Sequence, residues 1–458
     1  MSRSTRPFQP IEDGRASIYL CGLTVQSAPH IGHLRSAVNF DILRRWLQHT
    51  GYDVTFVRNV TDIDDKILAK SAEAGAPWWA WAYHNEREVT WAYDTLNCLP
   101  ATYEPRATGH IPEMVELIAK LIDKGHAYPA NGDVYFDVRS FPDYGALSRQ
   151  KIDEMQAAAD SAPTGKHDPR DFALWKAAKA SEPATASWSS PWGRGRPGWH
   201  IECSAMVGKY LGPHFDIHGG GLDLTFPHHE NEIAQSVAAN GSFANYWMHN
   251  AWITMSGEKM SKSLGNTLAV REIVKRWRPV EVRYYLGAAH YRSNVEFSDA
   301  ALDEAAAAYR RIEGFLQRAE EKLGQLDDAQ LLNCPDVFIE AMNDDLAVPQ
   351  ALAAIHNAVR DGNSALTAED RTVALMKARE ILAMLNVLGL NRADYDTESV
   401  SDQTATIDAL AQMLLSQRQI ARKNKDFVTS DAIRDAFAEA GLAIEDTPDG
   451  PRWLPKEQ

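Results

Sequence analysis

From Ala16 to Cys21, and again from Asp53 to Arg58, the chain shows the short apolar or alternating runs of buried strands. Between them Val38, Ile42 and Trp46 recur at helical spacing with Leu43 and Leu47 beside them, which predicts a helix over Ser36 to Thr50 closed by Gly51. Strand, loop, helix and strand in that order open an α/β fold with a doubly wound parallel sheet (Rossmann-like). Helices are predicted over Trp78 to Asn97 and Ile111 to Lys124, and a short strand over Asp133 to Val138. Ala157 to Pro197 is rich in Ala, Ser, Pro and Gly but carries Trp175, Trp188 and Trp192. Tryptophans need burial, so this stretch reads as an ordered insertion that returns to the core.

The alternation of strand and helix resumes over Trp199 to Gly221 and Phe226 to Asn240, with Cys203 expected just after a strand end. Beyond Ser298 the pattern is helical throughout. Ala301 to Leu323 is one long amphipathic helix stopped by Gly324, Asp336 to Leu390 holds several more, and Ile407 to Gly441 is helical again after the acidic, turn-rich Asn391 to Asp402.

The length of 458 residues allows more than one domain, and 45% hydrophobic with 24% charged residues is ordinary for a globular chain. A formal net charge of -15 argues against broad nucleic-acid affinity but allows a local basic face, as around Arg310, Arg311, Arg318 and Lys322. Four scattered cysteines (Cys21, Cys98, Cys203, Cys334) make no disulfide framework, which leaves metal binding, reactivity or plain burial. Met1 to Pro7 has no apolar run, and Ile381 to Leu390 is too short to cross a bilayer and is interrupted by Asn386. A cytoplasmic protein with no membrane partner is expected.

Three constellations carry chemistry. Pro29-His30-Ile31-Gly32-His33 lies between the first strand and the first helix, where free N–H groups, positive potential and a glycine suit a triphosphate. Lys259-Met260-Ser261-Lys262-Ser263, followed by Leu264-Gly265-Asn266, is a loop with two lysines that can offset charge as pyrophosphate leaves. His228 and Glu232, four apart, share a helix face, and Cys203 and Cys21 supply two thiols. Two thiolates, an imidazole and a carboxylate suit zinc; by spacing alone, buried cysteines and a helix-capping histidine are the first reading.

The first two loops together resemble the signature of class I aminoacyl-tRNA synthetases. Cys21-Gly22-Leu23-Thr24-Val25, Asn59-Val60-Thr61-Asp62-Ile63-Asp64-Asp65-Lys66, Gly198-Trp199-His200-Ile201-Glu202-Cys203-Ser204, Asp216-Ile217-His218-Gly219-Gly220-Gly221 and Phe226-Pro227-His228-His229-Glu230-Asn231-Glu232 resemble the cysteinyl-tRNA synthetases. The resemblance runs nearly end to end. It implies one zinc per chain held by Cys21, Cys203, His228 and Glu232, and an amino-acid pocket lined by Thr61, Trp199 and Asp223. It also implies ATP, with Mg2+, at His30, Gly32, His33 and Lys262, and catalysis by His30, His33, Lys259 and Lys262. Leu23, Gln26, Ser27 and Ala28 depart from the family pattern on the nucleotide side.

The implied activity is ATP-dependent conversion of L-cysteine to cysteinyl-adenylate, then transfer to the 3'-terminal adenosine of tRNA(Cys), by a monomer. Serine differs by one chalcogen atom, and an apolar pocket separates such pairs by only about 1–3 kcal/mol. Direct ligation of sulfur is expected to give roughly 10⁴–10⁵-fold discrimination and to make proofreading unnecessary. The insertion is accordingly too short for an editing domain with its own core.

On this resemblance residues 1–110 form the first half of the catalytic domain, 111–190 the connective insertion, and 191–255 the second half. The lysine loop and stem-contact region take 256–300, a helical bundle 301–390, a linker 391–404 and an anticodon-binding region 405–458. Asp344 to Leu352 resembles the start of the helical tRNA module. Arg418, Arg422, Lys423, Lys425 and Arg434 offer phosphate contacts, and Trp453, if exposed, a base-stacking surface. Two other readings remain: a synthetase-derived ligase joining cysteine to an amino-sugar inositol in mycothiol biosynthesis, which has no need of residues 407–458, and a catalytically silent tRNA binder, against which His30, His33, Lys259 and Lys262 argue.

Overall fold

The computed structural model describes residues 4–158, 165–255, 258–259, 268–324, 326, 334–395, 399–440, 442–447 and 450–455. β1 (Arg15–Leu20), α1 (Ile31–His49) and β2 (Asp53–Arg58) open the chain, followed by α2 (Asp65–Glu73), α3 (Trp78–Thr95) and α4 (Ile111–Asp123). β3 (Ala127–Ala130), β4 (Asp133–Phe136), β5 (Phe172–Ala177) and β6 (Gly195–Pro197) come next, then α5 (Trp199–Tyr210), β7 (Phe215–Gly221), α6 (Glu230–Asn240) and β8 (Ala244–Asn250). β1, β2, β7 and β8 form a parallel sheet in the order β2-β1-β7-β8. That is the predicted Rossmann-like core, and every neighbour is reached by a crossover.

α1 begins at Ile31, five residues before the predicted start, and His30 is its N-cap. The apolar stripe is readable only from Val38 onward, whereas the first turn is polar and is held by its own ends: the His30 N–H donates to His33 Nδ1 (3.3 Å). α1 crosses the sheet closely enough that a Cβ on Gly219 of β7 would sit 2.1 Å from Phe40 Cε1. Glycine is required there by contact with a ring, not by backbone angles.

The insertion folds as a four-stranded antiparallel sheet, β3-β4-β5-β6. Val134, Tyr135, Phe136, Phe172 and Trp175 are buried on it, and the Phe172 ring meets His200 of α5 (centroids 5.5 Å), so the insertion packs as part of the first compact unit, Met1–Asn391. Trp188 and Trp192 are half-buried, and β6 ends two residues before α5, returning the chain to the parallel sheet.

Past β8 the chain forms β9 (Ile253–Met255), β10 (Glu258–Lys259), α7 (Val270–Ile273), α8 (Pro279–Ala288) and β11 (Val295–Glu296), with β9 paired to both β10 and β11. α9 (Asp299–Leu323), α10 (Asp336–Asn343), α11 (Val348–Thr367) and α12 (Arg371–Leu388) complete the first compact unit, Met1–Asn391. A buried cation ties these helices to the sheet domain. Arg283 on α8 donates to Asp41 Oδ2 on α1 (2.5 Å), to the Leu96 and Asn97 carbonyls after α3 (2.9 Å each), and to the Leu388 carbonyl closing α12 (2.9 Å). Burial would raise the Asp41 pKa, but Arg283 and Arg45 outweigh it and hold the carboxyl below its ordinary value. Removing one partner of such a pair typically costs about 3–5 kcal/mol.

The second unit, Arg392–Gln458, contains α13 (Ser399–Lys423), α14 (Phe427–Glu439) and a hairpin of β12 (Leu442–Thr447) with β13 (Gly450–Pro455). α13 starts inside the stretch read as a linker, since no glycine or proline interrupts residues 399–407. Ala411, Leu415 and Phe437 form its core, and Trp453 packs against them while donating to Asp408 Oδ1 (2.8 Å). Trp453 is thus a structural residue rather than a free stacking platform, and Arg418 is buried. Among the described residues no helix is long and apolar enough to cross a membrane.

The Gly219–Phe40 approach has a measurable consequence. Gly219→Ala should cost about 1–3 kcal/mol in urea unfolding through overpacking. Combined with Phe40→Leu, the loss should be smaller than the sum of the two single changes; additive losses would show that the two residues do not press on each other.

Candidate metal and adenylation site

Cys21 follows the last residue of β1, where its N–H donates to the Gly219 carbonyl of β7 (3.0 Å). The next residue must be glycine, because a Cβ on Gly22 would lie 1.7 Å from the Asn59 carbonyl oxygen. Cys203 is not after a strand end as predicted; it lies inside α5. Residues 200–207 of that helix are all buried, so there is no polar face and no amphipathic period to reveal it. His228 sits in the tight turn that enters α6, and Glu232 in the first turn of α6 itself.

These four side chains meet. Cys21 Sγ is 3.8 Å from Cys203 Sγ and 3.5 Å from Glu232 Oε2, and His228 Nε2 is 3.6 Å from that same oxygen. One donor atom from each residue lies within 4.8 Å of every other, and all four residues are buried. A second set, Cys21, His218, His229 and Glu232, satisfies the same limit. In that set the His218 Nε2 is already engaged, 3.2 Å from Glu232 Oε1 and 3.1 Å from Oε2. We therefore read His218 as orienting the carboxylate and the two-thiol set as the soft-metal candidate.

The electrostatics agree with a cation site. Burial pushes the thiols of Cys21 and Cys203 above their ordinary values, Cys21 by far the more. Burial pulls His228 down to about 3. For Glu232, burial acts upward, but His218 and His228 outweigh it and leave the carboxyl below its ordinary value. At neutral pH the site is therefore two thiols, a neutral imidazole and a carboxylate with no basic side chain of the chain inside it. The residues fit zinc by donor type, number and mutual reach.

Around this set lie residues that spacing did not single out. His200 Nδ1 faces His228 Nδ1 at 3.1 Å, which leaves His228 Nε2 directed at the cluster. His229 pairs with His249 (2.8 Å). Glu202, beside Cys203, accepts from the Thr61 hydroxyl (2.9 Å), and burial lifts its pKa well above the carboxylate range. The only signal for His200, Glu202 and His229 was their place inside the quoted segments, and His249 had none, since buried polar residues follow neither a helical nor a strand period.

The other expected site residues fall as follows. The Trp199 ring lies 4.4 Å from the His228 ring, centroid to centroid, and Thr61 reaches the neighbourhood of Cys203 through Glu202. Asp223 is exposed on the turn after β7, accepting from the Trp252 indole at 3.4 Å. His30 and His33 stack at the start of α1 with centroids 3.6 Å apart, and a Cβ on Gly32 would approach the His30 ring at 3.0 Å. The Ile31 N–H donates to the Leu268 carbonyl (3.2 Å), so the turn meets the chain directly after the lysine loop. The departures from the family pattern lie in the preceding loop, where the Trp81 indole donates to the Gln26 carbonyl (2.8 Å). Lys259 is described as backbone in β10; Lys262 lies outside the described residues.

Comparison with known proteins adds sequence-wide findings. Residues 7–307 match the model of the class I (C) tRNA synthetase catalytic domain, residues 337–393 that of the DALR domain, and residues 404–453 that of the cysteinyl-tRNA ligase anticodon binding domain. A cysteine–tRNA ligase of Streptomyces avermitilis is 60% identical over 456 residues, covering 99% of this chain and 97% of that one. One from Nocardioides is 60% identical over 462 residues, with 99% and 98% covered. Among solved structures, Mycobacterium tuberculosis methionyl-tRNA synthetase with methionyl-adenylate is similar with a TM-score of 0.59 and 16% identity, covering 82% of this chain and 90% of that one. A ternary complex of Agrobacterium radiobacter LeuRS with tRNA and LeuAMS gives 0.61 and 11%, covering 84% and 85%. At those identities the structures speak to the fold alone.

Loading a divalent metal should release about two protons at neutral pH, one from each thiol, because His228 and Glu232 carry none to lose. Affinity should then fall about 100-fold for each unit the pH is lowered below both thiol pKa values. A competitive chelator titration across pH checks this, and a tenfold slope would show that only one thiol ligates.

Proposed function

The chain belongs to the cysteinyl-tRNA ligases, class I aminoacyl-tRNA synthetases, and on that premise we propose that Cys21, Cys203, His228 and Glu232 hold zinc and that this site selects cysteine over serine. The observation that carries the reading is the convergence of two thiols, one imidazole and one carboxylate, from three separate segments, in a buried space. Bound there, zinc supplies a soft Lewis acid that favours a substrate thiolate far above an alcohol. Trp199, against His228, covers the site. Thr61 and Asp223 are the polar groups assigned to the amino-acid substrate.

In the first step a carboxylate oxygen of cysteine attacks the α-phosphorus of ATP in line, forming cysteinyl-adenylate as the bond to pyrophosphate breaks. The free N–H groups and positive potential at the start of α1, with His30, Gly32 and His33, steady the phosphates. Magnesium enters with ATP as part of that substrate. Lys259 and Lys262 offset the charge that accumulates on departing pyrophosphate. In the second step the terminal ribose of tRNA attacks the activated carbonyl, giving cysteinyl-tRNA and AMP. No protein nucleophile takes part; the chain positions the reactants and places charge. The amino-sugar ligase reading is not favoured, because residues 404–453 match an anticodon binding domain.

Cys203→Ser and His228→Ala should each lose zinc and cysteine-dependent pyrophosphate exchange together, by more than the roughly 100-fold that supporting residues of a metal site command. Metal analysis beside the exchange assay tests this, and normal cysteine activation by a metal-free variant overturns it. Ending the chain after Asn391, at the boundary between the two units, should lower kcat/KM for tRNA charging at least about tenfold, near 1.4 kcal/mol, while exchange stays within about twofold. Equal losses in the two assays would show that the second unit is not reserved for tRNA.

A further inference from the structure

Arg35 lies on α1, two residues past His33, and is completely buried. Among the described residues no carboxylate pairs with its guanidinium. Nη1 donates to the carbonyls of Ala251 (3.1 Å) and Trp252 (2.7 Å), and Nη2 to those of His290 (3.1 Å) and Ser293. Nε has no hydrogen-bond partner. Burial lowers its pKa to about 10, so the group stays charged at neutral pH. A buried cation served only by backbone oxygens is costly, and the planar fork is the one side chain that spans four carbonyls at once.

The four carbonyls belong to two segments. Ala251 and Trp252 lead directly into β9, which pairs with β10 and so carries the backbone of Lys259 opposite Thr254. His290 and Ser293 lead into β11, the other neighbour of β9. On the far side of the lysine loop the chain returns at Leu268, whose carbonyl accepts from the Ile31 N–H, and at Ala269, which bridges His30. The opening of α1 therefore grips both ends of the segment that carries the lysines: Ile31 holds its exit, Arg35 its entry.

We propose that Arg35 is a positioning residue for adenylate formation, clasping the Ala251–Trp252 and His290–Ser293 carbonyls so that the strand bearing Lys259 is set in fixed register against His30 and His33. This rests on the adenylate-forming reading above. The clasp touches neither substrate nor metal. Its effect falls on the step in which phosphate-side groups must act together, not on cysteine binding.

The test uses the full chain with zinc bound. Arg35→Lys keeps a cation but replaces the four-carbonyl fork by a point donor; Arg35→Gln removes the charge and keeps two donors. For both, kcat of cysteine-dependent pyrophosphate exchange should fall about 10–100-fold, the scale of a 1 Å misplacement. KM for cysteine and for ATP should stay within about threefold, with zinc still stoichiometric. Ile42→Ala, a core change on the same helix, should lower Tm without this fall in kcat. Unchanged kcat in a folded Arg35 variant overturns the proposal, as does a loss of zinc or a rise in the cysteine KM that tracks kcat. Failure of both variants to fold makes Arg35 structural and rejects the positioning role. A wild-type protein without cysteine-dependent exchange sinks the adenylation reading and the clasp with it, whereas an effect missing only in the variants removes the clasp alone.

Discussion

Two thiols, an imidazole and a carboxylate share a space closed to water, and much of the surrounding structure follows from the cost of keeping them there. An unpaired buried polar group costs several kcal/mol, and a charged one more. Three of the four are held from behind: Cys21 through its backbone N–H on the Gly219 carbonyl, His228 by His200, Glu232 by His218. The front is left to donor atoms only. The donor set suits a soft cation, which under the proposed function would favour a substrate sulfur by chemical softness rather than by size.

The same helix serves the nucleotide side and the body of the molecule. The opening of α1 meets the chain at Leu268 through the Ile31 N–H, while Asp41, further along, meets the buried Arg283 that also donates to carbonyls at the ends of α3 and α12. The phosphate end of the helix and the helical bundle are thereby parts of one rigid element. Arg35 adds a second buried cation on that element, donating to carbonyls ahead of β9 and ahead of β11. Arg35 is served by backbone oxygens alone, whereas Arg283 also requires the Asp41 carboxylate.

Local sequence carried the parallel sheet and most helices because their apolar periods are long and their stops are marked by Gly51 and Gly324. It failed on α5, where burial on all sides erases the period. It also left Trp453 open between a packed and an exposed role, and the core of the second unit takes that ring in. The supporting histidines were invisible for a related reason: a buried polar side chain obeys the demands of its partner, and its partner is distant in sequence.

What the sequence by itself determined was the order of elements, the two loops flanking an α/β core, and four residue types whose chemistry suits a soft cation. Those are local properties, set by spacing and by the atoms each side chain carries. That Cys21, Cys203, His228 and Glu232 share one space, and that Arg35 reaches two strands more than two hundred residues away, was decided only by the tertiary structure. Parallel pairing brings β1 beside β7 across a long crossover, and no local pattern records the distance between atoms that such a crossover joins.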